Sequence, residues 1–210
     1  MRTAIRLGTV IAIIALCGFA VASGWSIVHF SLAMRGIDAS KKGAEARGWT
    51  SVPGLASTAR QVQLMEIINP SDLTAANERR EAISALLSVR PLSSYHWVML
   101  SSMEFATAQR MDDVLDALTL SVLTGPNEGY VMSERGIFGV SVWEDLPPDL
   151  KKRTALDLAP IMFPRTPAEG AEGGRLLTVL ATTSESARSE LRNALLATGI
   201  AAKDIKRLGL

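Results

Sequence analysis

The sequence predicts an all-α chain: an N-terminal transmembrane helix, a short array of helical hairpins, and a C-terminal helix. Three observations lead there. Residues 7–32 contain no Asp, Glu, Lys or Arg. Further along, apolar residues recur at helical spacing in one segment after another. Pro91, Pro126 and Pro160 each follow a predicted second helix, and they stand 35 and 34 residues apart.

Composition sets the outer bounds. A chain of 210 residues fits one domain with an appendage, and it is long enough to fold on a hydrophobic core. The formal net charge is +1, with Lys and Arg scattered among nearly equal numbers of acids. That argues against a nucleic-acid-binding protein, which usually shows a basic patch. Cys17 is the only cysteine, so neither a disulfide framework nor a Cys-based zinc site can form within one chain.

The first element is the charge-free run 7–32, 26 residues where about 20 cross a bilayer as a helix. It is longer than a signal-peptide core requires. Trp25 and His29 lie near its far end, where amphipathic rings favour the membrane interface. The expectation is a retained anchor, residues 1–34, contacting the lipid bilayer through 7–32. A cleaved signal peptide is the alternative, because Ala20-Val21-Ala22 has the small-x-small form of a cleavage site. A lipoprotein is disfavoured: Cys17 follows Leu16, where that processing site wants a small residue. Arg2 and Arg6 favour a cytoplasmic N-terminus, while Arg35, Lys41, Lys42 and Arg47 compete from the other side. A short tail ahead of a first apolar helix places the body outside the cytoplasm. A cytoplasmic body stays open as the alternative.

Residues 35–71 read as a linker with one short helix, "ARQVQLMEIIN", stopped before Pro70. The helical body is expected over 72–163. Ser71 or Asp72 can cap a helix whose face is Ala75, Ala82, Ile83, Leu86 and Leu87. Ser93 or Ser94 opens the next, "LSSYHWVMLSSMEFATAQR". "MDDVLDALTLSVLTGP" turns Val114, Leu115, Leu118 and Val122 to one side, with acids at its start to suit the helix dipole. "NEGYVMSERGIFGVSVWEDL" and "DLKKRTALDLAPIM" follow, separated by Pro147-Pro148. Residues 164–174 read as a flexible connection. "GRLLTVLATT" is strand or helix by pattern, and helix is preferred for want of a strand partner. "TTSESARSELRNALLATG" is a capped helix ending at Gly199, with Ala187, Leu191, Ala194 and Leu195 on one face.

A period of 34 built from helix–turn–helix units is that of the tetratricopeptide repeat. Counting from Tyr95, the small eighth position is Ser102 and the aromatic eleventh is Phe105. Val114 and Leu118 take the apolar positions of the second helix, Ser121 the small one, and Pro126 ends the unit. Trp97 falls one place early, and Ser101 stands where Leu is usual. Ile83 in the preceding unit, and Gly136 and Ala155 in the following one, also fit. Residues 72–163 therefore resemble a divergent tetratricopeptide array. A second resemblance covers roughly 80–160. The anchor, "LLSVRPLSSYHWVMLSSMEF" and "SVLTGPNEGYVMSERGIFGVSVWEDLPPDLKKR" are similar to short tetratricopeptide-like proteins of alphaproteobacteria associated with exopolysaccharide or O-antigen ligase systems. Taken with the anchor and its orientation, that resemblance leads to the expectation of a bacterial inner-membrane protein with a periplasmic body. It would be a non-catalytic accessory whose partners are membrane proteins of polysaccharide assembly, and it brings no catalytic residues with it.

No reaction centre emerges from the residues. His29 and His96 lack a second His or Cys at ligand spacing, so no metal site is expected. No cofactor motif is present, and nothing matches a phosphate-binding loop. Asp112, Asp113 and Asp116 complement a helix dipole, and Glu144, Asp145 and Asp149 suit caps and loops. The candidate partner-binding residues are those placed near the first helices of the repeats: His96, Glu104, Asn127, Tyr130, Glu134 and Arg135. Two rival functions stay open. One is a small subunit assembled through its transmembrane helix, where Gly8, Ala12, Ala15, Gly18, Ala22 and Gly24 offer small-residue surfaces. The other is a glycan hydrolase or lyase working through carboxylates such as Glu104 and Glu134. The glycine-rich stretch "LTGPNEGYVMSERGIFG" reads as a turn and a helix, with Gly125 at a helix end and Asn127 as N-cap. Gly129 and Gly139 are left without a role, and a partner chain packed against them is the expected use if the segment binds anything.

Overall fold

A computed structural model describes residues 2–35, 42–52, 55–67, 76–107, 110–165, 167 and 171–210. Among the described residues the regular structure is entirely helical, including "GRLLTVLATT". The chain divides into two compact units, Met1–Pro91 and Leu92–Leu210.

The first unit begins with α1 (Arg2–Ala33), whose stretch Gly8–Ala33 is long and apolar enough to cross a membrane. A signal sequence near an N-terminus passes the same test. Then come α2 (Lys42–Arg47), α3 (Ala56–Ile67) and α4 (Ala76–Leu87). A small core joins Phe30 of α1 to Ala46, Leu55 and Ala59, with Met34, Trp49, Val52 and Val62 packed around it. α4 pairs with α3 and buries Ile83, Leu86 and Leu87, three of its expected apolar positions. Arg60 ties the pair by donating to the Ala85 carbonyl and the Ser88 hydroxyl. The proposed caps Ser71 and Asp72, and Ala75, lie outside the described residues.

The second unit is a stack of paired helices: α5 (Ser94–Ala106) with α6 (Met111–Thr124), and α7 (Gly129–Ser141) with α8 (Pro148–Asp157). A 3₁₀ turn at Trp143–Asp145 precedes α8, and Pro148 occupies its first turn, where a missing N–H costs nothing. After a short α9 (Ala159–Met162) come α10 (Gly173–Thr182) and α11 (Glu185–Ala197). α12 (Ala202–Ile205) closes the chain with a 3₁₀ turn at Lys206–Leu208. First helices lie side by side, α7 between α5 and α10, and α11 packs on α8. One core runs through all of it, from Val98 and Leu118 through Val140, Trp143 and Leu158 to Leu176, Leu191 and Ile205. The segment from 173 onward is therefore part of the same core as α5–α8.

Close approach is achieved by small residues. In the first pair, Ser101 donates to the Val114 carbonyl at 2.7 Å and Ser121 donates to the Ser94 carbonyl at 2.8 Å, so each serine satisfies itself while letting the backbones meet. The buried small position of α5 is thus Ser101, not Ser102, which is half-buried and bonds back to Val98 within its own helix. Phe105 is corrected likewise: it is 45% exposed while Glu104 beside it is buried. Val98, at the position where the repeat usually carries Trp, is buried in the core, and Trp97 beside it is half-buried.

In the second pair the close approach uses glycine. A Cβ on Gly136 would sit 2.9 Å from Leu158 Cδ2 and 3.1 Å from the Asp157 backbone. One turn on, a Cβ on Gly139 would sit 2.7 Å from Thr154 Cγ2. The bare backbone at Gly139 is thus covered by α8 of the same chain, not by a partner. Gly125 follows α6 as expected, with Ser94 2.5 Å from where its Cβ would be. The residue at the N-cap of α7 is Glu128, not Asn127, and it makes no side-chain cap; Glu128 instead accepts from Ser94 at 2.8 Å. Ser93 does stand at the N-cap of α5, but its hydroxyl goes to His96 Nδ1 at 2.6 Å. Ser184 caps α11 by accepting from the Ala187 N–H at 3.1 Å. Gly199 takes a left-handed φ of 87° just after that helix, a conformation glycine adopts without a Cβ clash.

Candidate interaction surface

The row of first helices carries half-exposed aromatic rings. Tyr130 and Phe138 are two turns apart on α7, which puts them on one stripe. Each meets a ring from α5. Tyr95 and Tyr130 lie 5.7 Å apart, and Phe105 and Phe138 lie 6.1 Å apart edge to face. Between them on the same stripe is Glu134, which accepts from both terminal nitrogens of Arg175 on α10 at 2.7 and 3.1 Å. Arg175 also reaches Glu172 at 2.5 Å, and its pKa is raised above an ordinary guanidinium's chiefly by its bond to Glu134. Tyr130 is 46% exposed, and its phenol pKa is pushed up, first by burial and then by the Glu134 charge. The surface is thus two ring pairs about 12 Å apart along α7, from a rise of about 1.5 Å per residue, with a closed ion pair between.

Of the six residues expected to meet a partner, Tyr130 and Glu134 stand on this face. Asn127 is exposed in the α6–α7 turn, where it lines a recess of ≈ 470 Å³ with Gly129, Met132, Pro160, Phe163 and Arg165. The other three are corrected by burial. His96 lies inside, held by Ser93, and Glu104 is 9% exposed. Arg135 is 1% exposed and belongs to the interior of the stack. Its Nε and Nη2 meet the two Asp157 oxygens at 2.6 and 3.0 Å, and its Nη1 donates to the Ser121 and Gly125 carbonyls at 3.0 and 3.1 Å. A cation there suits the C-terminal end of α6. Arg153, one turn before Asp157, adds bonds of 2.9 and 2.6 Å to Asp157 Oδ1 and donates to the Pro126 carbonyl. Three second-hairpin residues thereby hold the end of the first hairpin.

Sequence reasoning missed Phe105 as a surface ring and Arg175 as the partner of Glu134. It also missed Asp157, whose position between Leu156 and Leu158 in an apolar run was the available signal. A second recess, of ≈ 480 Å³ between α8 and α11, is lined by Trp143, Pro148, Lys151, Leu156, Glu190 and Ala194. Glu190 there accepts from Lys151 at 2.7 Å and from Trp143 Nε1 at 3.2 Å, bonds that hold its carboxyl below the usual range. Among the described residues no group of three or more His, Cys, Asp or Glu could hold a metal ion.

These features define an all-α chain of packed helical pairs, carrying one N-terminal helix with the length and composition of a membrane span or signal sequence. No protein-family model, curated protein or solved structure matches it.

Proposed function

We propose that this chain is a non-catalytic interaction protein: a divergent tetratricopeptide-like array tethered by α1 as a single-pass anchor. The observation that carries the reading is the first-helix row with its half-exposed rings, Tyr95, Tyr130, Phe105 and Phe138, beside core residues fully committed to packing. Rings at such a surface supply contact area at low entropic cost. An anchor in the same chain raises the effective concentration of that surface near membrane partners. The setting we propose is the bacterial inner membrane with a periplasmic body, as an accessory of envelope polysaccharide assembly. What supports that setting is the resemblance of residues 80–160 together with Arg2 and Arg6 on the near side of the apolar run.

Photo-crosslinking in the native membrane tests it. A crosslinking amino acid in place of Tyr130 is expected to trap a membrane component of polysaccharide synthesis or ligation. The same substitution at Ser186, exposed on α11, is the control. Equal yields at both positions, or a partner unrelated to polysaccharide assembly, would refute the proposal. A reporter fused after Leu210 checks topology, and activity on the cytoplasmic side would overturn the periplasmic placement.

A further inference from the structure

The apolar helix is longer than a bilayer needs. Gly8–Ala33 is 26 residues. At about 1.5 Å per residue that is roughly 39 Å, against a hydrocarbon core of about 30 Å. Roughly six residues are left over, and α1 uses its last turns differently from the rest. From Val10 to Val28 its large apolar side chains are exposed. Phe30 is the one buried side chain of residues 8–33. It sits in a core with Ala46, Leu55 and Ala59, and its ring meets Trp49 edge to face at 5.7 Å. Met34 packs on the same cluster.

Helices α2 and α3 are therefore seated on the end of α1, at the level where the apolar helix would leave the hydrocarbon. Trp25 and His29, with ring centroids 4.6 Å apart, lie on the preceding turn, the position amphipathic rings take at a headgroup boundary. Two exposed cations flank the junction. Arg35 follows α1 and Arg47 ends α2, and among the described residues neither is in an ion pair. Arg47 shares a polar recess with Arg60, Glu78 and Glu81, so its charge is partly offset, whereas Arg35 is not among the residues lining that recess.

We propose that α2 and α3 form a cap seated on the membrane surface, with Trp49 at headgroup level and Arg35 and Arg47 binding anionic lipid headgroups. The inference rests on α1 spanning the membrane. Its charge logic is that of juxtamembrane basic residues beside an anionic leaflet. Its geometry is the docking of Phe30, which fixes the cap against the end of α1.

The test uses the full chain in vesicles of phosphatidylcholine, with and without phosphatidylglycerol. A fluorophore on native Cys17 reports the span. A fluorophore on Ser51→Cys, in a Cys17→Ala background, reports the cap. Lipids carrying a nitroxide deep in the acyl chains should quench the Cys17 probe. If they do not, the spanning reading fails and the cap proposal falls with it. Lipids carrying a nitroxide at the headgroup should quench the Ser51→Cys probe at least twofold more strongly when phosphatidylglycerol is present. Arg35→Gln with Arg47→Gln should abolish that difference, with Arg35→Gln alone having the larger share. Phe30→Ala should release the cap and lower quenching at position 51 while leaving Cys17 unchanged. A deeply quenched Cys17 with equal quenching at position 51 in both lipid mixtures would overturn the headgroup site while sparing the span.

Discussion

Arg135→Met removes the cation that joins the two hairpins of the second unit. Asp157, 1% exposed, would keep only Arg153, and the Ser121 and Gly125 carbonyls would lose a donor each. Breaking a buried pair from one side costs about 3–5 kcal/mol, because the remaining charge stays buried. Arg153 still reaches Asp157 through two bonds, so the expected cost is near the lower end, about 3 kcal/mol. Asp157→Leu is the harsher change. It strands Arg135 among carbonyl acceptors, with an expected loss of about 4–5 kcal/mol.

The double variant separates charge from packing. With both charges gone, no ion is left buried without its partner, and the loss should fall about 2 kcal/mol short of the sum of the singles. It should not vanish, since the Ser121 and Gly125 carbonyls still lack the guanidinium donor. Chemical unfolding of the full chain in detergent, followed by circular dichroism, measures all three. In a domain of this size a 3 kcal/mol loss lowers Tm by on the order of 15 °C. Single losses under about 1 kcal/mol, or strict additivity, would refute the keystone role of the pair.

Gly139→Ala should destabilise the second unit by about 1–2 kcal/mol, because the new methyl meets the β-branched Thr154 and overpacking outweighs the gain in helix propensity. Gly174→Ala in α10, where nothing lies within 4 Å, should instead stabilise by about 0.5 kcal/mol in the same unfolding assay. Ser184→Ala removes the α11 N-cap and should cost about 1 kcal/mol, seen as faster amide exchange at Ala187. The raised pKa of Tyr130 means the native state keeps a proton that the unfolded chain loses near pH 10. Stability should therefore fall as pH rises through about 10, and a phenolate absorbance titration should show one late-ionising tyrosine that Tyr130→Phe removes.

Much of the fold was legible because burial leaves a period in the sequence. Ile83 and Leu86 in α4, Val114 and Leu118 in α6, and Ala187, Leu191 and Leu195 in α11 are all buried where their spacing predicts. Pro126 follows a second helix, and Gly199 takes the left-handed cap. What the period could not supply was register between helices. Ser101 and Ser102 are equally small, and the two readings differ by one residue. Only the cross-helix bonds from Ser101 to Val114 and from Ser121 to Ser94 decide which serine faces the partner.

The candidate surface was less legible for a related reason. Glu134 and Arg135 are adjacent, so their side chains leave α7 about 100° apart. One turns toward α10 and stays half-exposed, where Arg175 closes it. The other turns into the stack, where Asp157 and two carbonyls receive it. Charge alone argues for solvent in both cases, since a buried guanidinium is stable only with its acceptors in place. Those acceptors come from α6 and α8, 10 to 22 residues away in sequence. A central helix in a stack is covered on several sides, and a lone charge on it has to be read together with lone opposite charges in its neighbours. By that rule Arg135 pairs with Asp157 and Glu134 with Arg175, and the rings of α5 and α7 remain as the surface open to another molecule.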